Sequence, residues 1–414
     1  MASQSRKART LQALSRPRWL RELLAVRSAF AALVLAAVAS LVAGLILASI
    51  TDTLEELPGL LLLVPAAIAV KGNIFGALGS RLGTAIHAGT FRLSRRRDSL
   101  VSQNAAASLA LSLGIGVMLA VMAKGTALVF DISPTMGLAD FVVVSALGCL
   151  IAAFVVLAIT LATTAAAVRF GWDLDNVVAP MVTVSGDVVT LPSLVLAAEL
   201  AGFETLTPAV AWTLALAAAA SAVWGLRSRL AELRRIMRES IPVLLVAGLL
   251  DLVAGITVEK RLDDFVAFPA LLVMLPGFLS TAGALGGVLS SRLSTKLHLG
   301  LARPAALPSG GARVDLGTTF ALAAPLFALL GLVSSAAAGL AGHSGPSLAD
   351  LVAVALLGGL LATLVIVVVA YYGTLAAVRF GVDPDTYGIP VVTSSLDLAG
   401  AFTLIVAIVV VGLA

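Results

Sequence analysis

Two aspartates stand where carboxylates are costly. Asp187 and Asp397 lie 210 residues apart, each inside a long apolar run. An ionisable group in such a run costs at least about 2.5–3.5 kcal/mol on insertion scales if the run spans a bilayer. Each follows a threonine at i−4, Thr183 and Thr393, so on a helix each carboxylate shares a face with a hydroxyl one turn earlier. Each run also opens with an acidic loop and a proline, Asp175 to Pro180 and Asp385 to Pro390, which suits proline in a first helical turn. Two carboxylates that meet in a low-dielectric seam cannot both stay ionised unless a cation lies between them. A divalent ion resolves that conflict, and monodentate carboxylates with retained waters describe Mg2+ better than a full protein cage. The structural alternative is that each aspartate caps a neighbouring helix or pairs with an arginine.

The elements that position these residues follow from composition. The 414 residues are 60% hydrophobic and 12% charged, with a mean hydropathy of +1.07, against about 25% charged in ordinary soluble chains. The chain is therefore read as an all-α integral membrane protein, because open strands leave backbone groups unsatisfied in lipid. A single cysteine, Cys149, and three histidines, His87, His298 and His343, exclude a disulfide framework, thiolate zinc sites and iron–sulfur clusters. No nucleotide-binding glycine loop, nucleophile triad or zinc helix is present, so enzymatic activity and ATP-driven transport have no support.

A span needs about 20 apolar residues. Eleven runs qualify, near 29–50, 58–80, 104–128, 139–167, 179–200, 207–226, 240–258, 267–291, 315–341, 349–375 and 389–412. Placing the N-terminus in the cytoplasm puts 23 of the 27 Lys and Arg residues in inner segments, a strong positive-inside asymmetry. The net charge of +4 thus reflects topology, and no nucleic-acid partner is expected. The opposite loops are acidic (Asp52, Glu55 and Glu56; Glu259, Asp263 and Asp264). They are either polar residues at a water boundary or a weak funnel for cations. The basic N-terminal region precedes a run that is long enough to span and lacks a signal-cleavage pattern, so it is read as the first transmembrane helix.

The chain is written twice. VPAAIAVKGNIFGALGSRLGTAIHAG, from Val64, aligns with LPGFLSTAGALGGVLSSRLSTKLHLG, from Leu275, at an offset of 211. AAVRFGWDLDNVVAPMVTVSGDVV, from Ala166, aligns with AAVRFGVDPDTYGIPVVTSSLDLA, from Ala376, at 210. Each half holds five spans, and an extra helix between them restores the orientation. The expectation is two parallel five-helix repeats related by a pseudo-two-fold axis along the membrane normal, a single-chain pseudo-dimer. The divisions are a basic cytoplasmic segment 1–28, a first repeat 29–203, a linker helix with a basic segment 204–239, and a second repeat 240–414.

The remaining polar residues in the spans break the symmetry. Asn73 offers a neutral ligand, but its counterpart is Ala284. Lys71 faces Ala282 in the alignment and either snorkels or pairs with an acid when an ion is absent. Asp251 aligns with Ser40 and serves either ion entry and coupling or a structural hydrogen bond. Gly72, Gly76 and Ser80, like Gly283, Gly287 and Ser291, form a stripe of small residues that suits close helix packing; the alternative is the lining of a narrow pathway. His87 and His298 follow basic helix ends and read as interfacial, and Arg81, Arg292, Arg169 and Arg379 as anchors of helix ends.

A Pro-x5-Lys-Gly-Asn second span ending in Ser-Arg-Leu-Gly/Ser-Thr, with Asp-x-Asp-Asn, Pro-x-Val-Thr and an intramembrane Asp, resembles the membrane domain of the MgtE magnesium channel. It is also similar to the related animal solute-carrier 41 magnesium transporters. The resemblance covers nearly the whole chain as two tandem copies. It implies a magnesium pathway between the copies, with Asp187 and Asp397 at a central hydrated-ion site, Thr183 and Thr393 one turn earlier, and a polar contribution from Asn73. Two departures matter. The bacterial channel's cytoplasmic regulatory domains have no counterpart, since 28 residues are too few to fold alone, so gating by that route is not expected. The second repeat carries Ala282-Gly283-Ala284, so a symmetric asparagine contact is not expected either.

Together these readings lead to a divalent-cation channel or transporter in the plasma (inner) membrane, with Mg2+ as the transported ion and Mn2+ or Co2+ as competitors. Its partners are divalent metal ions and the lipid bilayer. The candidate metal residues are Asp187, Asp397, Thr183, Thr393, Asn73 and Asp251. A H+- or Na+-coupled divalent-cation exchanger is the alternative, and a non-transporting scaffold packed through its glycines the remote one.

Overall fold

The computed structural model describes residues 18–87, 89, 91, 94, 96–170, 174–298, 305–308, 310–343, 345–380 and 389–413, with the side chains at 18–29, 32, 87, 174–180, 183–184, 298, 378, 380 and 389 outside that description. Among the described residues the chain is all helical. Its elements are α1 (Arg18–Ser49), α2 (Thr51–Glu56), α3 (Leu60–His87), α4 (Leu100–Val129), α5 (Leu138–Phe170), α6 (Leu174–Ala198) and α7 (Leu206–Arg227). They continue with α8 (Ala231–Glu259), α9 (Leu262–Ala267), α10 (Pro269–His298), α11 (Gly311–Leu340), α12 (Leu348–Phe380) and α13 (Ile389–Val411).

Nine of these, α3, α4, α5, α7, α8 and α10–α13, are long and apolar enough to cross a membrane. The first and fifth expected spans are the helices α1 and α6, whose apolar parts within the described residues are Leu33–Ser49 and Ser185–Ala198. The short α2 carries Asp52, Glu55 and Glu56, and α9 carries Asp263 and Asp264, while Glu259 is the last residue of α8. Pro390 takes the second position of α13, as expected. Pro180 does not open its helix: α6 starts six residues earlier, at Leu174. Prolines within membrane helices are tolerated where neighbouring groups satisfy the freed carbonyl, and Pro65, Pro242, Pro276 and Pro325 are further cases.

The two repeats, α1–α6 and α8–α13, exchange their first helices. α1 packs along α10 of the second repeat, and α8 packs along α3 of the first. The crossings are made by the same residue position in each half. Gly44 of α1 presses on the backbone of Val273, and Gly255 of α8 on the backbone of Leu62. Both members of this second contact stand 211 residues from their counterparts in the first. Within the repeats α5 packs on α6 and α12 on α13, again through matched glycines. A Cβ on Gly148 would lie 3.1 Å from the Ser193 carbonyl oxygen, and one on Gly358 would lie 3.2 Å from that of Thr403. Glycine in these places lets backbones approach closely. α7 stands at the edge, with Trp212 and Leu216 exposed, whereas α3 and α10 are the most enclosed spans.

Candidate metal site

A cavity of about 280 Å3 opens between the repeats, walled by α3 and α10 with α6 and α13 beside them. Its lining is largely symmetric: Pro65 and Pro276, Gly72 and Gly283, and Asp187 and Asp397 enter as matched pairs. Thr393 lines it too, whereas the side chain of Thr183 lies outside the described residues. Asn73 and its counterpart Ala284 both face the cavity, so the asparagine contributes from one side only. Its amide nitrogen is buried and makes no hydrogen bond among the described residues.

The glycine stripe on α3 and α10 corrects a sequence expectation. It does not serve close packing there: a Cβ on Gly72, Gly76 or Gly287 would meet nothing within 4 Å, and one on Gly283 would meet only Asp397 Oδ1, at 3.3 Å. Gly72, Gly283 and Gly287 instead line the cavity. Their missing side chains widen it and bare the helix backbone to whatever occupies it. Close helix contact falls to Gly44 and Gly255, which the sequence did not single out.

The two carboxylates are held differently. Asp187, 6% exposed, accepts a hydrogen bond from the Ser40 hydroxyl of α1, and Ser280 of α10 lines the cavity with it. Asp397 is close enough to Asp187 to feel its charge, and its direct neighbour is Asp251 of α8. Asp251 is fully buried and does not line the cavity. Its Oδ2 accepts a 3.0 Å hydrogen bond from the Ser394 hydroxyl, while Oδ1 has no partner among the described residues. The first-repeat pair Ser40–Asp187 thus has the second-repeat pair Asp251–Asp397 as its structural equivalent. Nothing local to Asp251 predicts that neighbour, since the pairing joins the first and fifth spans of a repeat. Only the Ser40/Asp251 mismatch hinted that this position matters.

Among the described residues no group of three or more His, Cys, Asp or Glu is arranged to hold a metal ion. What the cavity offers is two acids, the hydroxyls of Ser280 and Thr393, and an amide around open volume, which suits an ion that keeps much of its water. Lys71 does not snorkel, for it is fully buried; among the described residues its nitrogen has no hydrogen-bond partner and no acid pairs with it, and its polar neighbour is the Cys149 thiol. Glu259 leaves the acidic loop cluster. Its carboxylate accepts from the backbone N–H groups of Gly59, at 2.8 Å, and Leu62, at 3.1 Å, and so caps the start of α3. Arg81 donates from Nε to Asn104 Oδ1 at 2.6 Å, tying the end of α3 to α4. The side chains of His87 and His298 lie outside the described residues.

The comparisons agree with this duplicated arrangement. The family model of MgtE, a divalent cation transporter, matches residues 64–197 and again 275–407. Three animal proteins are similar at low identity. Solute carrier family 41 member 2 of Xenopus laevis is 25% identical over 85% of this chain and 65% of its own length. Member 3 of Rattus norvegicus is 24% identical over 84% of this chain and 79% of its own length. Member 3 of Mus musculus is 24% identical over 61% of this chain and 52% of its own. The chain therefore spans between half and two thirds of the mouse and frog proteins. No solved structure matched significantly. With both matched regions carrying one of the cavity's two facing helices and one of its two aspartates, this multi-pass membrane protein belongs to the MgtE family of divalent cation transporters.

Proposed function

We propose that the protein moves Mg2+ through the central cavity, with the hydrated ion held between Asp187 and Asp397 on the pseudo-two-fold axis. One observation carries this reading: the matched aspartates of the two repeats line a single cavity. Its volume suits the cargo. Six waters at about 30 Å3 each fill roughly 180 Å3, within the cavity's 280 Å3, and Mg2+ dehydrates reluctantly from its octahedral shell. Charge selects for cations, and the cost of stripping water selects among them. Thr393 and Asn73 would receive the shell's hydrogens, and Thr183, which the sequence repeat matches to Thr393, is assigned the same role. The basic loops face the cytoplasm of a cell bounded by this plasma membrane, by the positive-inside bias of the sequence.

The test is flux in reconstituted vesicles. Asp187→Asn and Asp397→Asn each lower Mg2+ uptake about tenfold or more, since each removes a charge facing a divalent ion in a partly dry site. The double change abolishes uptake. Wild-type flux in the double variant rejects the assignment. A second reading, exchange coupled to H+ or Na+, is favoured by one feature, the third carboxylate of Asp251 beside Asp397. Mg2+ flux that persists without any proton or sodium gradient removes it.

A further inference from the structure

We propose that Lys71 and Asp251 form a charge-compensating couple, one on each repeat, that holds the net charge around the cavity at −2 and so matches it to a single divalent cation. The inference rests on the ion site described above and adds a specificity-setting role for a residue outside its lining. Among the described residues, the buried charged side chains are Lys71, Asp187, Asp251, Glu259 and Asp315, and Asp397 is partly open to the cavity. Glu259 is committed to the start of α3, and Asp315 to a 2.6 Å ion pair with Lys296. That leaves three acids and one ammonium, a formal −2.

The placement supports a joint role. Lys71 immediately precedes the cavity-lining Gly72 on α3, and a Cβ on Gly186, the residue before Asp187, would lie 3.7 Å from the Lys71 Cβ. Asp251 sits directly behind Asp397. Both are fully buried, on the packed helices α3 and α8. Lys71 Nζ and Asp251 Oδ1 both lack a hydrogen-bond partner among the described residues. Local bonding neutralises neither charge, since Asp251 has only the neutral Ser394 hydroxyl on Oδ2 among the described residues, and an uncompensated buried charge is strongly destabilising. Each also replaces a neutral residue at the equivalent place of the other repeat, Ala282 for Lys71 and Ser40 for Asp251. The two departures from symmetry are opposite in sign and cancel.

Removing either member alone therefore shifts the site by one charge, and removing both restores it. The experiment measures Mg2+ flux against concentration in proteoliposomes for Lys71→Ala, Asp251→Ser, the double variant and Lys71→Arg. Each single substitution installs the residue that the other repeat already accommodates. Lys71→Ala, at −3, is expected to lower KM at least about tenfold and slow maximal flux, because the ion is held too tightly. Asp251→Ser, at −1, raises KM by a similar factor. The double variant returns KM to within about threefold of wild type, and Lys71→Arg keeps it there. Thermal unfolding in the absence of Mg2+ separates folding defects from charge effects. Should a single variant fail to fold, recovery of a folded, transporting protein in the double variant carries the same information. A double variant whose KM differs from wild type by more than about tenfold, or a Lys71→Arg change as severe as Lys71→Ala, overturns the couple. Neither result touches the Asp187 and Asp397 assignment, which fails only if their Asn variants transport normally.

Discussion

Two glycines at equivalent positions make opposite demands at the cavity wall. A methyl added at Gly283 would press on Asp397 Oδ1 from 3.3 Å, whereas one at Gly72 would meet open space. Gly283→Ala must displace a carboxylate that already has Asp251 at its back, while Gly72→Ala leaves Asp187 with its Ser40 donor. The expected outcome is a several-fold loss of Mg2+ flux in Gly283→Ala and near wild-type flux in Gly72→Ala. Both should keep an unfolding temperature close to wild type, because alanine in place of a helical glycine gains up to about 1 kcal/mol of helix propensity. Equal losses in the two variants would show that cavity width, and not the Asp397 carboxylate, responds. At this scale the sequence was informative where chemistry repeats at one offset, as with Asp187 and Asp397. It was silent where a side chain reaches another element: Ser40 on Asp187, Asp251 on Asp397, and Glu259 on the start of α3 all join distant positions.

Between elements, the fold depends on two crossings that the hydrophobic pattern cannot reveal. Hydropathy locates spans because lipid demands about 20 apolar residues from each; the starts of α3 and α10 follow to within two residues, while both helices run seven residues past the expected ends. Which helix lies against which depends on side-chain size at a few contacts, and Ala, Leu and Val runs look alike around their whole circumference. The sequence suggested the glycines of α3 and α10 as the packing stripe, whereas the close approaches are Gly44 on Val273 and Gly255 on Leu62. A Cβ at either glycine falls on the facing backbone, which has no rotamer with which to yield. Gly44→Ala and Gly255→Ala are each expected to destabilise by about 1–3 kcal/mol, as overpacking does in well-packed interiors. Thermal unfolding in detergent checks this against Gly125→Ala on α4, where nothing lies within 4 Å and stability should hold or rise. Similar losses at the matched pair would show that the two crossings carry equal weight, as the pseudo-two-fold requires.

For the molecule as a whole, the question is why one chain should carry two unlike halves when identical halves could build the same cavity. Each repeat lends its first helix to the other, α1 to α10 and α8 to α3, and the equivalent crossings mean that either half could in principle pair with a copy of itself. The charge couple proposed for Lys71 and Asp251 argues against this. Two first repeats would set two Asp187 against two Lys71, a formal zero with no attraction for a cation. Two second repeats would crowd two Asp251 and two Asp397 around one cavity, a formal −4 that a single divalent ion leaves half neutralised. Only the mixed pair reaches −2. Severing the chain in the short link between Arg227 and Ala231 and co-expressing the two pieces tests this preference without altering any residue of the cavity. The pieces are expected to co-purify as a one-to-one complex and to restore Mg2+ flux, whereas neither piece alone transports. Giving both pieces neutral residues, Lys71→Ala in one and Asp251→Ser in the other, should erase the discrimination and let self-paired species appear on native gels or by cross-linking. A second repeat that assembles with itself and conducts Mg2+ as well as the intact chain would leave the asymmetry without this electrostatic role.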